Sequence, residues 1–141
     1  MTGCVFCRIA EGSLPSHRVY EDPRVVAFLD AAPAAAGHTL VIPRVHVARV
    51  EDLTQEDAEA LFGAVHRLVK PVREAVVAQA ATIGVNDGPG SGQEIPHVHV
   101  HIIPRNPRDG LGIIQRVGAR MSQQQLAETA EKIRSLLCSS E

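Results

Sequence analysis

The chain has 141 residues, of which 45% are hydrophobic and 21% charged, and this is the composition of one soluble domain without room for a second. Its net charge of −2 excludes the strongly basic surface that nucleic-acid binding requires. No stretch approaches the roughly 18 apolar residues of a membrane span, and Arg8 and Glu11 interrupt the apolar run that an N-terminal secretory signal would need. We therefore expect a cytoplasmic protein that binds neither nucleic acid nor membranes.

Two short strands and a long helix are predicted in the first half of the chain. Residues 24–30 and 38–44 are apolar runs rich in β-branched side chains, and the Ala/Pro loop between them predicts neighbouring antiparallel strands. In residues 55–80 apolar side chains recur at spacings of three and four, which predicts an amphipathic helix with Thr54 as its N-cap. Pro71 is expected to bend or split this helix, because proline removes one backbone hydrogen bond.

Two further strands and a second helix are predicted in the rest of the chain. Residues 81–86 and 97–104 have the composition of strands, and the glycine-rich residues 87–94 connect them. Ser122 and Gln125 make a capping box ahead of the apolar pattern of a C-terminal helix. The order β-β-α-β-β-α is typical of an α+β domain built on an antiparallel sheet.

The most informative segment of the sequence is His97–His101, in which three histidines alternate with aliphatic residues. Side chains at i, i+2 and i+4 of a strand point to one face, so the three imidazoles should line one surface while the aliphatic side chains pack into the core. Histidine is uncommon on an exposed strand, and the pattern therefore favours a functional role over a solvent-facing edge.

Two chemical interpretations of the histidine strand stay open from the residues alone. A His-x-His pair is a familiar ligand unit for zinc, copper or iron. The Cα atoms of His97 and His101 would lie about 13 Å apart, so at most two of the three histidines could share one metal. Alternatively, a neutral imidazole can attack phosphorus and split a displacement into two easier steps. Gly88, Gly90 and Gly92 in the preceding loop favour this second interpretation, because glycine lets backbone N–H groups turn toward an anion.

The segments GHTLVIPRVH and GQEIPHVHVHIIPR resemble the histidine triad (HIT) family, whose signature is His-x-His-x-His with apolar residues between and after. The resemblance is greatest for compact bacterial proteins of the Hint-like branch, and it indicates a single HIT domain over residues 1–141. It implies an α+β fold with a mainly antiparallel five-stranded sheet, one long helix and a C-terminal helix. It also implies a homodimer whose sheets join.

The activity that the resemblance implies is hydrolysis or transfer at the α-phosphate of a small purine nucleotide, such as adenosine 5′-phosphoramidate or a dinucleoside polyphosphate. The middle histidine, His99, matches the nucleophile that forms a covalent nucleotidyl intermediate, and His101 matches the position that hydrogen-bonds the scissile phosphate. The main chain at His97 would fix the tautomer of His99. His38 matches a histidine that supports the triad from the neighbouring strand. No organic cofactor is implied.

The same resemblance assigns the nucleotide-binding positions. These are Val5, Phe6, Ile9, Phe28 and Ala31 for the base, Asp30 for the ribose hydroxyls, and Asn86, Gly92 and Gln93 for the phosphate. From the residues alone, the aromatic and aliphatic members would serve equally well as core, and Asp30 as a turn residue. Glu94 departs from the Hint branch, which often carries a serine there near the leaving group. A carboxylate beside a phosphate is repulsive unless it is protonated or turned away.

The sequence also contains an N-terminal Cys-x-x-Cys pair, Cys4 and Cys7, with Cys138 as a third cysteine. An odd number of cysteines argues against a disulfide framework. Together with His46 and His97 the pair makes a Cys₂His₂ set, typical of a closed tetrahedral zinc site, and some bacterial HIT proteins carry zinc at this combination. The resemblance thus implies one structural Zn²⁺ per chain. The alternative is two buried cysteines in a short N-terminal helix.

Two rival functions are kept beside the nucleotidyl hydrolase. A metal-dependent hydrolase would use His97 and His99 as ligands of a catalytic ion, so chelation would abolish turnover while the fold survives. A nucleotide-binding scaffold protein would bind nucleotide with little turnover and without a covalent intermediate. His17 and His66 have no partner pattern and are interpreted as surface or helix residues.

Overall fold

The computed structural model describes residues 3–110 and 120–140. Its helices and strands, in chain order, are α1 Val5–Glu11, β1 Arg18–Glu21, β2 Val25–Leu29, β3 Thr39–Pro43, α2 Gln55–Ala75, β4 Ala80–Val85, β5 Val100–Arg105 and α3 Gln123–Ser140. The strands form one sheet in the order β1-β2-β3-β5-β4, and every neighbouring pair is antiparallel. The predicted α+β class and five-stranded sheet are confirmed.

The sheet is covered by helices on both faces. On β2, Val25, Ala27 and Leu29 face a core shared with α2 and α3, whereas Val26 and Phe28 face a smaller core shared with α1. Every residue of β2 and β3 is buried. Because water reaches neither face of these central strands, their sequences are continuous apolar runs without a polar alternation.

The helix α2 begins as predicted but ends earlier. The hydroxyl of Thr54 accepts the N–H of Asp57 at 3.1 Å, which caps its first turn. The helix continues through the buried Pro71 as one element, so Pro71 does not split it, and the bend that the sequence also allows stays a prediction. It stops at Ala75 because Val77 turns into the left-handed region, with φ of +55°, and the chain then enters β4.

The last strand starts at Val100, three residues later than the sequence predicted. β3 pairs only with residues 100–102 of β5, and the N–H of Val98 instead bonds the carbonyl of Val47 at 2.8 Å. The side chains of residues 97–102 still alternate between the two faces of the sheet, although β3 pairs only with residues 100–102. Val98, Val100 and Ile102 all pack in the core beside α2 and α3.

The C-terminal helix α3 has the predicted capping box. The N–H of Gln125 donates to Oγ of Ser122 at 3.0 Å, and the N–H of Ser122 donates to Oε1 of Gln125 at 2.9 Å. The elements that no periodicity predicted are α1 and β1, which have only seven and four residues. Within the described ranges, no helix combines the length and the apolarity needed to cross a membrane.

Candidate functional site

The three histidine side chains lie on the face of the sheet opposite the α2/α3 core. The ring of Phe6, on α1, contacts the rings of His97 and His99 edge-on, with centroids 5.9 and 5.0 Å apart. The ring of His101 follows at 5.0 Å from that of His99. All three histidines are less than 9% exposed, so their hydrogen bonds are made away from bulk water.

The tautomer of His99 is set by the backbone. Its Nδ1 lies 2.8 Å from the carbonyl oxygen of His97. Because a carbonyl only accepts, Nδ1 carries the proton, and the neutral ring presents its lone pair on Nε2. A ring held in this state is a competent nucleophile at Nε2.

His38, on the loop before β3, sets the tautomer of His101 in the same way. The backbone N–H of Ala34 donates to Nδ1 of His38 at 3.0 Å, so His38 carries its proton on Nε2. That atom lies 2.9 Å from Nδ1 of His101, which therefore accepts. The neutral His101 ring carries its proton on Nε2 and can donate it to a phosphate oxygen.

Asp30 follows the last residue of β2 and connects the histidines with a cavity. One carboxylate oxygen accepts the N–H of Ala32 at 2.9 Å, and the other lies 3.8 Å from Nε2 of His38. The residue is only 6% exposed, yet it lines the cavity described next. A carboxylate in this position can accept hydrogen bonds from a polar ligand.

A cavity of about 440 Å³, which we call the Phe6 cavity, lies beside these groups. Its wall is made by the side chains predicted for the base, namely Val5, Phe6, Ile9, Phe28 and Ala31, together with Leu14 and Leu40. The wall is mainly apolar, and the cavity has the size of small-molecule sites. Phe6 belongs to both the wall and the contact with His99, so the wall of this cavity reaches that imidazole.

Two polar residues of this cavity were missed by the sequence interpretation. His17 and Gln123 both line it, and Nε2 of His17 lies 2.8 Å from Oε1 of Gln123. His17 is therefore more than the surface residue that the sequence suggested. No sequence signal could have found the pair, because its members are 106 residues apart.

The glycine-rich loop brings Asn86 and Gly92 together. Gly92 has φ of +96°, and a Cβ at this position would lie 3.9 Å from Nδ2 of Asn86. Gly88 has φ of +94°, and a Cβ there would lie 2.8 Å from the guanidinium of Arg49. Both positions favour glycine because a side chain would strain the backbone there, and at Gly88 a Cβ would also displace the Arg49 guanidinium.

The Gln93 side chain holds the loop in place. Its Oε1 accepts the N–H of Gly88 at 2.7 Å, and its Nε2 donates to the carbonyl of Ala48 at 2.8 Å. The N–H groups of Ser91 and Gly92 bond carbonyls within the loop. The loop is thus fixed by its own hydrogen bonds, and the expected phosphate contact of Gln93 stays a prediction. Glu94 lines a second cavity with Cys4 and His46 and does not line the Phe6 cavity.

The four predicted metal ligands form a cluster. The nearest donor atoms of Cys4, Cys7, His46 and His97 all lie within 4.8 Å of one another. Three S···Nδ1 distances are 3.5, 3.3 and 3.6 Å. Tetrahedral zinc, with bonds of about 2.3 Å to sulfur and about 2.0 Å to nitrogen, separates such atoms by about 3.5 Å. The donor set and its spacing therefore fit zinc.

The surroundings of His97 prepare it as a ligand. Its Nε2 donates to the carbonyl of Pro43 at 2.8 Å, which leaves the lone pair on Nδ1, the atom that faces the two sulfurs. Burial lowers the pKa of His97 and so favours the neutral ring. Burial, with Cys4 beside it, raises the pKa of the Cys7 thiol. A bound cation would offset that rise by stabilising the thiolate.

The cluster separates the roles of His97 and His99. His97 directs Nδ1 at the cysteines, whereas Nδ1 of His99 is on a backbone carbonyl. Among the described residues, the group that could hold a metal ion consists of Cys4, Cys7, His46 and His97. His99 is not part of it. A catalytic ion shared by His97 and His99 has no counterpart in this arrangement.

Comparison with known proteins agrees with the fold. The HIT domain profile matches residues 11–108. "Protein hit" of Bacillus subtilis is 40% identical over 117 residues, 82% of this chain and 81% of that protein. Adenosine 5′-monophosphoramidase hnt1 of Schizosaccharomyces pombe is 38% identical over 111 residues, 78% of this chain and 80% of its own.

Solved structures extend the likeness to the whole fold. A zinc-bound histidine triad family protein from Mycobacterium smegmatis superposes with a TM-score of 0.85 at 32% identity and covers 99% of both chains. The sequence match is extensive, the fold is shared, and His97, His99 and His101 alternate as in the family signature. These findings lead to one assignment. The chain belongs to the histidine triad family.

Proposed function

We propose that the protein is a nucleotide hydrolase or transferase in which Nε2 of His99 attacks the α-phosphate of a nucleoside phosphoramidate or dinucleoside polyphosphate. The single observation that carries the proposal is the hydrogen bond from Nδ1 of His99 to the carbonyl of His97, in a ring that Phe6 of the cavity wall contacts. The relative named adenosine 5′-monophosphoramidase supports this class of substrate.

The proposed reaction has two displacements at phosphorus. In the first, the Nε2–P bond forms, the bond from phosphorus to the leaving group breaks, and the leaving amine or phosphate departs with its electron pair and takes up a proton. The His99 ring becomes cationic in the intermediate, and the carbonyl of His97 stabilises it through Nδ1–H. In the second, the oxygen of water attacks phosphorus and the Nε2–P bond breaks, its electron pair going to Nε2. The proton that water loses goes to the solvent and replaces the one that the leaving group took up, and the nucleoside monophosphate and the neutral ring are released.

The neighbouring residues orient the substrate in this proposal. His101 donates Nε2–H to a non-bridging phosphate oxygen, and His38 keeps it in that tautomer. A purine base lies between Phe6, Ile9 and Phe28, and the Asp30 carboxylate accepts the ribose hydroxyls. Asn86 contacts the phosphate from the loop, which Gln93 holds in place. Gly92 lies beside the phosphate without donating to it, because its N–H bonds the carbonyl of Pro89.

We also propose that one structural zinc is bound per chain by Cys4, Cys7, His46 and His97. The S···N distances and the zinc-bound structural relative support it. When bound, the ion would supply stability, because four protein ligands leave no open position for substrate. The zinc site and the reaction centre are linked by His97. The ring of His97 belongs to the cluster, and its carbonyl accepts the hydrogen bond from His99.

The assembly that we propose is a cytoplasmic homodimer of single HIT domains, joined through β4. This strand lies at one end of the sheet order, so one of its edges faces away from β5. Ile83 on β4 is 51% exposed. Edge pairing between two copies would cover both the open backbone groups and this side chain.

The decisive experiment replaces the nucleophile. We expect His99→Ala to lower kcat by at least about a thousandfold while AMP binding persists, because the attacking nitrogen is lost and the cavity is not. His66→Ala, on an exposed position of α2, is the matched control. Rapid quenching of the wild type with labelled substrate should trap the nucleotidyl group on His99. Retention of a tenth of the activity by His99→Ala would exclude the proposal, and binding without turnover or intermediate would favour a scaffold protein.

A further inference from the structure

The Phe6 cavity is lined by polar residues for which the proposed function has no role. These are His17, just before β1, and Gln123, the exposed first residue of α3. The remaining wall is aliphatic or aromatic except for Ser16 and Asp30, and Asp30 is assigned to the ribose. The inference below rests on the proposed function and concerns the residues that recognise the base.

The contact between the two side chains determines which groups they present. The carboxamide oxygen of Gln123 only accepts, so His17 donates its Nε2–H across the 2.8 Å contact. The carboxamide is planar, and fixing its oxygen also fixes the direction of its two N–H donors. His17 is itself anchored, because its carbonyl accepts the N–H of Leu29 on β2 at 3.0 Å. The pair therefore holds an oriented donor at the cavity.

We propose that Gln123 donates a hydrogen bond to an acceptor on the edge of the bound base, and that His17 positions it for this contact. Apolar walls and aromatic rings accept any flat base, because every base has a π-face. A hydrogen bond to an edge distinguishes bases by their donors and acceptors. Gln123 is then a specificity residue that favours bases with a ring nitrogen or a carbonyl at that edge, and His17 is a positioning residue.

A purely structural role for the same contact makes a different prediction. If the pair only joined the start of α3 to the sheet, its loss would lower the melting temperature and leave the choice of base unchanged. The substitution Gln123→Glu separates the two roles. Its carboxylate can still accept from His17, but it has no N–H to donate.

The experiment measures kcat/KM for two 5′-phosphoramidates that differ only in the base, adenine or indole. Indole has the bicyclic shape of a purine but no ring-nitrogen acceptor. The proteins are the wild type, Gln123→Leu, Gln123→Glu and the control Gln124→Leu, which alters a neighbouring exposed glutamine bonded to Glu128. We expect the preference for adenine to fall by about threefold to tenfold in both Gln123 variants and to stay unchanged in the control.

The role of His17 is tested with the same two substrates. In His17→Ala the adenine preference should fall partway, and adding Gln123→Leu should lower it no further than Gln123→Leu alone, because the two residues act as a unit. An adenine preference that is unchanged in both Gln123 variants would overturn the inference while leaving the hydrolase intact. A wild type that neither binds nor hydrolyses either substrate would overturn the proposed function, and this inference with it.

Discussion

Nε2 of His38 and Nδ1 of His101 lie 2.9 Å apart, in a buried contact that joins the end of one loop to the second residue of β5. The Ala34 N–H directed at Nδ1 of His38 makes this ring a donor toward His101. The tautomer of His101 is thus determined two hydrogen bonds away, by the backbone of the loop. His38 contacts no substrate in the proposed reaction, yet it determines which ring nitrogen of His101 can donate.

The first prediction concerns this positioning role. We expect His38→Leu to lower kcat by about tenfold to a hundredfold, the equivalent of one hydrogen bond to a charged group, with a smaller change in KM. His38→Gln should recover a large part of the loss, because a carboxamide can accept from Ala34 and donate to His101. Nitrogen NMR of His101 should show the Nε2–H tautomer in the wild type and a mixture in His38→Leu. Equal activity of the Leu and Gln variants would contradict the argument.

The second prediction concerns the metal cluster. Protein purified without chelator should contain one zinc per chain by elemental analysis, because four preorganised soft donors bind zinc tightly. The double substitution Cys4→Ser/Cys7→Ser should remove the zinc and lower the melting temperature by about 10 °C, or about 3 kcal/mol. Cys138→Ser is the control, because this third cysteine is exposed. Zinc-free wild-type protein, or a double variant that melts like the control, would refute the site.

Features that depend on local spacing could be predicted from the sequence. The alternation about His99 and the capping box at Ser122 are set within a few residues, and the structure contains both. Features that depend on distant partners could not be predicted. The start of β5 is decided by where β3 stops pairing, and Gln93 is fixed by a carbonyl 45 residues away. The same limit hid the contact of His17 with Gln123.

The third prediction concerns backbone strain at the end of α2. Val77 has φ of +55° and is 83% exposed, and it directly follows the C-cap Val76, at the position where glycine is preferred. A left-handed backbone destabilises a β-branched residue by about 1–2 kcal/mol. Glycine avoids this strain, but its greater freedom in the unfolded chain lowers the free energy of unfolding by about 0.5–1 kcal/mol. Val77→Gly should therefore stabilise the protein by about 0.5–1 kcal/mol in denaturant unfolding. Val77→Ala is the control, and a Gly variant no more stable than the Ala variant would contradict the strain argument.

The fourth prediction concerns assembly. If β4 joins two copies, light scattering should give a mass of about twice 15.1 kDa for the wild type. Ile83→Lys should lower that mass to the monomer value, because two like charges would meet at the paired edge. Val45→Lys, at an exposed apolar residue outside β4, should remain dimeric. A dimer that persists in Ile83→Lys would place the interface elsewhere.

The fifth prediction concerns the ribose. Asp30 lies buried at the cavity with one oxygen bonded to Ala32, and we expect its carboxylate to accept hydrogen bonds from the 2′ and 3′ hydroxyls. Replacing ribose by 2′-deoxyribose removes one such bond. A hydrogen bond to a charged group contributes about 1.5–3 kcal/mol, so kcat/KM should fall by about tenfold to a hundredfold.

The measurement is the ratio of kcat/KM for the ribo and 2′-deoxyribo forms of one phosphoramidate, in the wild type and in Asp30→Asn. The amide oxygen can still accept but carries no charge, so the ratio should shrink in the variant. Asp52→Asn, at an exposed carboxylate in the short 3₁₀ helix Val50–Asp52, should keep the wild-type ratio. The same ratio in the wild type and in Asp30→Asn would remove Asp30 from ribose recognition. Its carboxylate would then serve only the turn that Ala32 closes and the neighbouring His38.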